Sequence, residues 1–115
     1  MLKAGLQPIE YILLSERVIK EENGLFSAFC DELGTATFAD TLEAASERLS
    51  AANTLLLNAA AANGDIEALF KQRGIHMYPA GRLDQSEHFR FEPSEAHFGY
   101  RDISHRPYNL AAGLA

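Results

Sequence analysis

The chain has 115 residues, 47% of them hydrophobic and 23% charged, which suits one domain with its own core and excludes a largely disordered chain. Ten basic against sixteen acidic residues leave a net charge of -6, so no whole-molecule field draws the chain to nucleic acid or to an anionic membrane surface. The single cysteine, Cys30, excludes an intramolecular disulfide, and no apolar run approaches the roughly 20 residues of a membrane span.

At the N-terminus, MLKAGLQPIEYILL is broken by Gln7, Pro8 and Glu10 and lacks the apolar core of a signal peptide, so a cytoplasmic address is expected. Ile9, Tyr11, Ile12, Leu13, Leu14, Val18 and Ile19 predict a strand over residues 9–20, with Glu10, Glu16 and Arg17 among them. Glu22-Asn23-Gly24 is a hairpin turn, because Asn and Gly tolerate the positive φ of a tight reversal. A second strand follows at 25–30. Gly34 marks the next bend, and residues 35–39 make a third, short strand.

Asp40 followed by Glu43 has the form of a capping box. It opens a helix over about 41–63, whose apolar stripe is Leu42, Ala45, Leu49, Ala52, Leu56 and Ala59. Leu55 and Leu57 widen the stripe near its end, which predicts a second surface there. Leu49, Leu56, Phe26 and Phe29 are expected to meet in the core. Asp65 caps a short helix that Gly74 ends, with Lys71 and Arg73 in its last turn as the helix dipole favours. Residues 75–78 read as one more strand, stopped by Pro79.

The predicted order is β-β-β-α-α-β, an α+β sandwich of one curved antiparallel sheet with a long helix across one face. It occupies residues 1–79. Residues 80–115 change character: they hold polar, Gly and Pro positions and three His-x-x-aromatic units, beginning at His88, His97 and His105. They predict an extended C-terminal tail with one or two strand-like pieces, fastened to its own sheet or to another subunit.

Residues 9–78 resemble the HicB-type antitoxins of bacterial toxin–antitoxin pairs. The resemblance is carried by Gly24-Leu25-Phe26, by Cys30-Asp31-Glu32-Leu33-Gly34, by Asp40-Thr41-Leu42-Glu43-Ala44-Ala45 and by Lys71-Gln72-Arg73-Gly74-Ile75. It implies a partial ribonuclease H-like fold without the catalytic acids, and a protein that occludes a small, basic RNA-cleaving toxin. The tail departs from that pattern: it shows neither a helical apolar period nor a basic recognition helix, so direct DNA binding is not expected.

The residues themselves predict no enzyme, no cofactor and no metal site. Cys30, between Phe29 and the bend, reads as a small buried hydrophobe, and Asp31 and Glu32 point to opposite faces of their strand. His88, His97 and His105 are the only concentrated ligand supply, and spacings of nine and eight residues fit no zinc pattern. Arg101, His105, Arg106 and Tyr108 are suited to RNA by stacking and charge, which the acidic background opposes. The candidate partner-binding residues are Glu43 and Glu47 on the flank of the long helix, Leu55 and Leu57, and the tail aromatics Phe89, Phe91, Phe98 and Tyr100. Two functions fit: an antitoxin for a basic toxin, and a self-associating structural or small-ligand-binding module that uses the tail as an interaction arm. A homodimer is expected in either case, with no membrane contact.

Overall fold

In the computed structural model, which describes residues 10–78, 89–95, 97–100 and 103–112, the first three expected strands form an antiparallel meander. These are β1 (Tyr11–Lys20), β2 (Phe26–Cys30) and β3 (Thr35–Ala39). The β1–β2 turn closes by Glu21 N donating to Leu25 O at 2.7 Å, with Gly24 at φ 86°, where a side chain would strain the backbone. At residues 31–34 the chain reverses again: Gly34, at φ 70°, donates to Cys30 O at 2.9 Å.

α1 (Leu42–Ala62) starts one residue later than the expected capping box. Thr41 is the N-cap: its extended backbone lets Oγ1 accept from Ala44 N at 3.1 Å, so Asp40 does not carry that role. Thr41→Ala is therefore expected to cost about 1 kcal/mol in chemical denaturation, and Asp40→Ala almost nothing. Equal losses for the two variants would contradict this assignment.

The buried stripe of α1 is also rotated from the expected one. Its buried residues are Ala45, Ser46, Leu49, Ser50, Asn53 and Leu57, while Leu42 is 49% exposed and Ala59 is exposed. Two of its three buried polar side chains, Ser46 and Asn53, sit inside because the sheet beneath them presents polar groups of its own, while Ser50 Oγ is buried without a hydrogen-bond partner. Asn53 meets Thr35 Oγ1 and donates from Nδ2 to Tyr108 OH at 3.2 Å, and Ser46 Oγ donates to Glu16 at 2.8 Å. Apolar periodicity cannot find a helix face whose polar residues are satisfied by another element.

α2 (Ile66–Arg73) ends at Gly74 in the left-handed region, as the sequence predicts. Asp65 stands at its N-cap position but makes no side-chain capping bond. Phe70 of α2 packs edge-on against Phe91, with ring centroids 5.8 Å apart, which places α2 on the same face of the sheet as α1. Among the described residues, no helix is long and apolar enough to cross a membrane.

The largest difference from expectation lies after residue 79. The C-terminal segment is fastened to its own sheet, one of the two expected anchorages, but as an integral part rather than an extended arm: residues 103–112 are β7 (Ile103–Ala112), an inner strand of the sheet. It pairs antiparallel with β1 from Tyr11↔Asn109 to Glu16↔Ser104. The strand order is β3-β2-β1-β7-β5, with β5 being Phe89–Pro93, while β4 (Met77–Tyr78) pairs β1 and β6 (Phe98–Tyr100) pairs β7. The class is α+β with a curled antiparallel sheet under a long helix, and the tail supplies part of that sheet.

Pro107 explains why β7 is hard to see in the sequence. A proline cannot donate to a ladder and is excluded from most inner strands. Here the register on β7 passes from Pro93↔Tyr108 to Phe98↔His105, so the pairing slips opposite residues 106 and 107. The missing N–H falls at this bulge, where the ladder is interrupted in any case, and Pro107 O still accepts from Ser94 N at 2.8 Å.

Strand alternation then sorts the faces. Ile12, Leu14 and Glu16 of β1 lie beside Tyr108, Arg106 and Ser104 of β7 and face α1, as do Ala28, Cys30 and Phe91. Phe29, expected in the core, lies on the other face, beneath the Arg17 guanidinium at 5.1 Å. That face also carries the stacked pair Tyr11 and Tyr78, together with Ile19 and Phe38, and neither α1 nor α2 covers it.

Candidate functional site

The bulge between β5 and β6 and the first two turns of α1 enclose a cleft. One part, of about 460 Å³, is lined by Glu47, Pro93, Glu95, His97 and Arg106. It adjoins a second part of about 280 Å³ that shares Glu47 and His97 and adds Glu16, Leu42, Glu43, Ser46 and Ser104. Each wall follows from local structure. The helix contributes residues spaced three and four apart from Leu42, and the alternation Ile12, Leu14, Glu16 carries a carboxylate to the end of an otherwise apolar strand face.

Glu16 is 7% exposed, and its Oε2 accepts from Ser46 Oγ at 2.8 Å and lies 3.6 Å from His97 Nε2. Ser104 Oγ donates to the Glu16 backbone carbonyl at 3.3 Å. Arg106, 3% exposed, donates from Nε to Ser94 O at 2.5 Å and from Nη2 to Glu47 Oε1 at 3.3 Å. Two buried atoms of this constellation have no hydrogen-bond partner: Glu16 Oε1 and Arg106 Nη1. Ser46 and His97 converge on one carboxylate rather than on each other. The arrangement therefore offers recognition by charge and hydrogen bonding, with four carboxylates, one guanidinium and a histidine around one opening.

The bend that carries Cys30, Asp31 and Glu32 serves the fold. Between the stretches of β1 that pair with β2 and with β4, the Ser15 amide has no strand beside it, and the Glu32 carboxylate takes it at 3.0 Å together with Ser15 Oγ at 2.6 Å. Asp31 pairs with Arg17 at 3.1 Å on the surface. Both acids lie in the turn rather than the strand, and each has a separate structural partner.

Burial pushes the Cys30 thiol up to about 11 from 9.0, and the neighbouring Glu32 charge adds to it; burial also raises Tyr108, against the hydrogen bond from Asn53. Both groups are held neutral in the fold. An acid whose folded pKa is raised contributes stability that is complete below its unfolded value and declines above it. Stability should thus fall as pH rises from about 9 towards 11, and Cys30→Ala should flatten that slope. Iodoacetamide at pH 8 should leave the native thiol unlabelled while labelling it in urea; rapid native labelling would contradict this reading.

The expected site residues divide. Glu43 and Glu47 line the cleft, Glu47 with a side chain 68% exposed, and Leu55 is 74% exposed on α1. Leu57 and Phe91, by contrast, are fully buried and belong to the core. Asn58 holds Phe91 in place by bonding both its N–H, at 2.7 Å, and its carbonyl, at 3.2 Å, across the outer side of β5. Phe89 lies in β5, and Phe98 and Tyr100 in β6; their side chains lie outside what the structure describes. His88 lies outside the described residues altogether. His97 enters the cleft while His105, opposite Ser15, points to the other face, and no group of three or more His, Cys, Asp or Glu among the described residues could hold a metal ion.

Sequence reasoning missed Glu16, Ser46 and Ser104 as site residues and singled out Arg106 only as an RNA contact. One signal was present for Glu16: a carboxylate in phase with Ile12 and Leu14 is a charge on a core face. Ser46, Ser50 and Asn53, in phase with Leu49, carried the matching signal on the helix. Comparison of the chain with protein-family models, curated proteins and solved structures found no match.

Proposed function

We propose that this chain is a cytoplasmic, non-enzymatic binding protein of the HicB-like antitoxin kind, which neutralises a small basic RNA-cleaving toxin by occlusion. The observation that carries the reading is the acidic cleft mouth, where Glu43 and Glu47 stand exposed beside the half-exposed Leu42. Opposed charge steers encounter, and an apolar rim provides area to bury. The sequence resemblance and the net charge of -6 point the same way. A partial ribonuclease H-like topology belongs to the same proposal, supported by the β1-β2-β3 meander leading directly into α1.

Co-expression with the product of any neighbouring short basic reading frame tests the reading through growth and complex formation. A product harmless alone, or one that stays toxic and unbound beside this chain, would sink it. Given a partner, Glu43→Lys should slow association by roughly tenfold at low salt and reduce its salt dependence, with the melting transition unchanged. An unaltered association rate would remove the acidic wall from the interface.

Self-association is the second reading, favoured by the sheet face opposite the helices. Ile19, Phe38 and Tyr78 are exposed there, at 41%, 61% and 43%. A face of this kind closes most simply as a two-fold dimer. Light scattering before and after Phe38→Lys measures it, and a monomer at tens of micromolar in both would exclude it.

A further inference from the structure

The geometry points to a narrower occupant for the cleft: an arginine side chain of a protein partner, bound together with the backbone carbonyl beside it. This rests on the antitoxin reading for the identity of the partner, but the chemistry is set by this chain. Glu16 and Arg106 are each more than nine-tenths buried and line the cleft, and each holds one atom, Oε1 and Nη1, without a hydrogen-bond partner. They do not satisfy one another. Glu16 Oε2 is taken by Ser46, and Arg106 uses Nε on Ser94 O and Nη2 on Glu47.

An unpaired buried acceptor and an unpaired buried donor both cost stability, and together they define a ligand that brings one donor and one acceptor. In the β1–β7 register Glu16 faces Ser104 and Leu14 faces Arg106, so the two residues are diagonal neighbours on one face of the sheet. Both atoms are closed to solvent, so a ligand that spans them must part the side chains above them.

Charge decides which end is the donor. Glu16, Glu43, Glu47 and Glu95 surround the opening against one guanidinium, Arg106, and one imidazole, His97, so the donor should be cationic and the acceptor neutral. A guanidinium suits a buried carboxylate better than an ammonium, because it is less strongly hydrated and has several donors in a plane, enough for Glu16 and a second carboxylate at the mouth. Leu42 supplies an apolar wall for the methylene stem. A peptide carbonyl next to the arginine then reaches Arg106 Nη1.

The test titrates the full chain with Nα-acetyl-arginine N-methylamide, followed by amide and side-chain NMR shifts. Two comparison probes are the isosteric but uncharged citrulline derivative and free L-arginine, whose carboxylate the acidic lining repels. Saturable shifts are expected at Ser46, Glu47, His97 and Ser104, with the citrulline derivative weaker by about tenfold or more, the scale of one charge-assisted hydrogen bond. E16Q, which keeps an acceptor for Ser46, should weaken the arginine probe by a similar factor. Should E16Q fail to fold, E43Q/E47Q on the exposed wall gives the same comparison, with a smaller loss.

Equal binding of the citrulline derivative, tighter binding of free L-arginine, or no saturable shift at the cleft overturns the inference. A chain that neutralises a toxin yet ignores the arginine probe defeats this inference alone. Probe binding without any toxic neighbour defeats the antitoxin reading and leaves the arginine site standing.

Discussion

A chain ending at Tyr78 is expected to lose its cooperative unfolding transition. The truncation removes β7 and leaves β1 without its ladder from Tyr11 to Glu16. It also takes Phe91 and Tyr108, 0% and 1% exposed, away from Ile12, Leu14, Leu57 and Phe70 in the core. Loss of one such aromatic side chain costs about 3–5 kcal/mol, while a domain is stable by only about 5–15 kcal/mol in all. Two aromatics and an inner strand exceed that margin. Circular dichroism and a thermal melt decide the matter: a truncated chain that still melts in one sharp step would show that residues 10–78 fold alone and would return the C-terminal segment to the role of an arm.

Asn53→Ala is expected to be the most damaging of the single polar substitutions, by about 2–5 kcal/mol. The side chain is 1% exposed and lies between the Thr35 hydroxyl and Tyr108 OH, tying β3 at one edge of the sheet to β7 through the helix. Removing it orphans both hydroxyls in the core at about 1–3 kcal/mol each. The cause can be separated from simple loss of volume. In the triple variant Asn53→Leu, Thr35→Val and Tyr108→Phe none of these three polar groups is left to orphan, and most of the stability should return, because replacing all partners by apolar groups of similar shape is nearly neutral. A triple variant as unstable as Asn53→Ala would show that packing at this position, not hydrogen bonding, sets the cost.

Much of the local structure was legible. The turn at Asn23-Gly24 and the bend at Gly34 appear where the sequence predicts them, β3 and α2 keep their predicted bounds, and β1, β2 and α1 differ by one or two residues at their ends. These features depend on residues close in sequence: glycines that accept positive φ, a helix stop at Gly74, alternation along a strand. Glu43 and Glu47 were equally legible as exposed acids of a helix flank, since an amphipathic period shows which charges face water.

The remainder was decided by partners distant in sequence. His105-Arg106-Pro107-Tyr108 looks like a loop until β1 and the bulge opposite residues 106 and 107 give its proline a place in an inner strand. Ser46 and Asn53 look like solvent positions until the sheet beneath supplies Glu16, Thr35 and Tyr108. Leu57 and Phe91 look like contact residues until α2 and Asn58 close over them. By itself, then, the sequence determined which segments turn, extend or coil, because those preferences are set by each residue and its near neighbours. Only the tertiary structure decided which polar groups are buried and which meet in the cleft, because a buried charge or hydroxyl is tolerated or excluded according to the partner that long-range pairing brings to it.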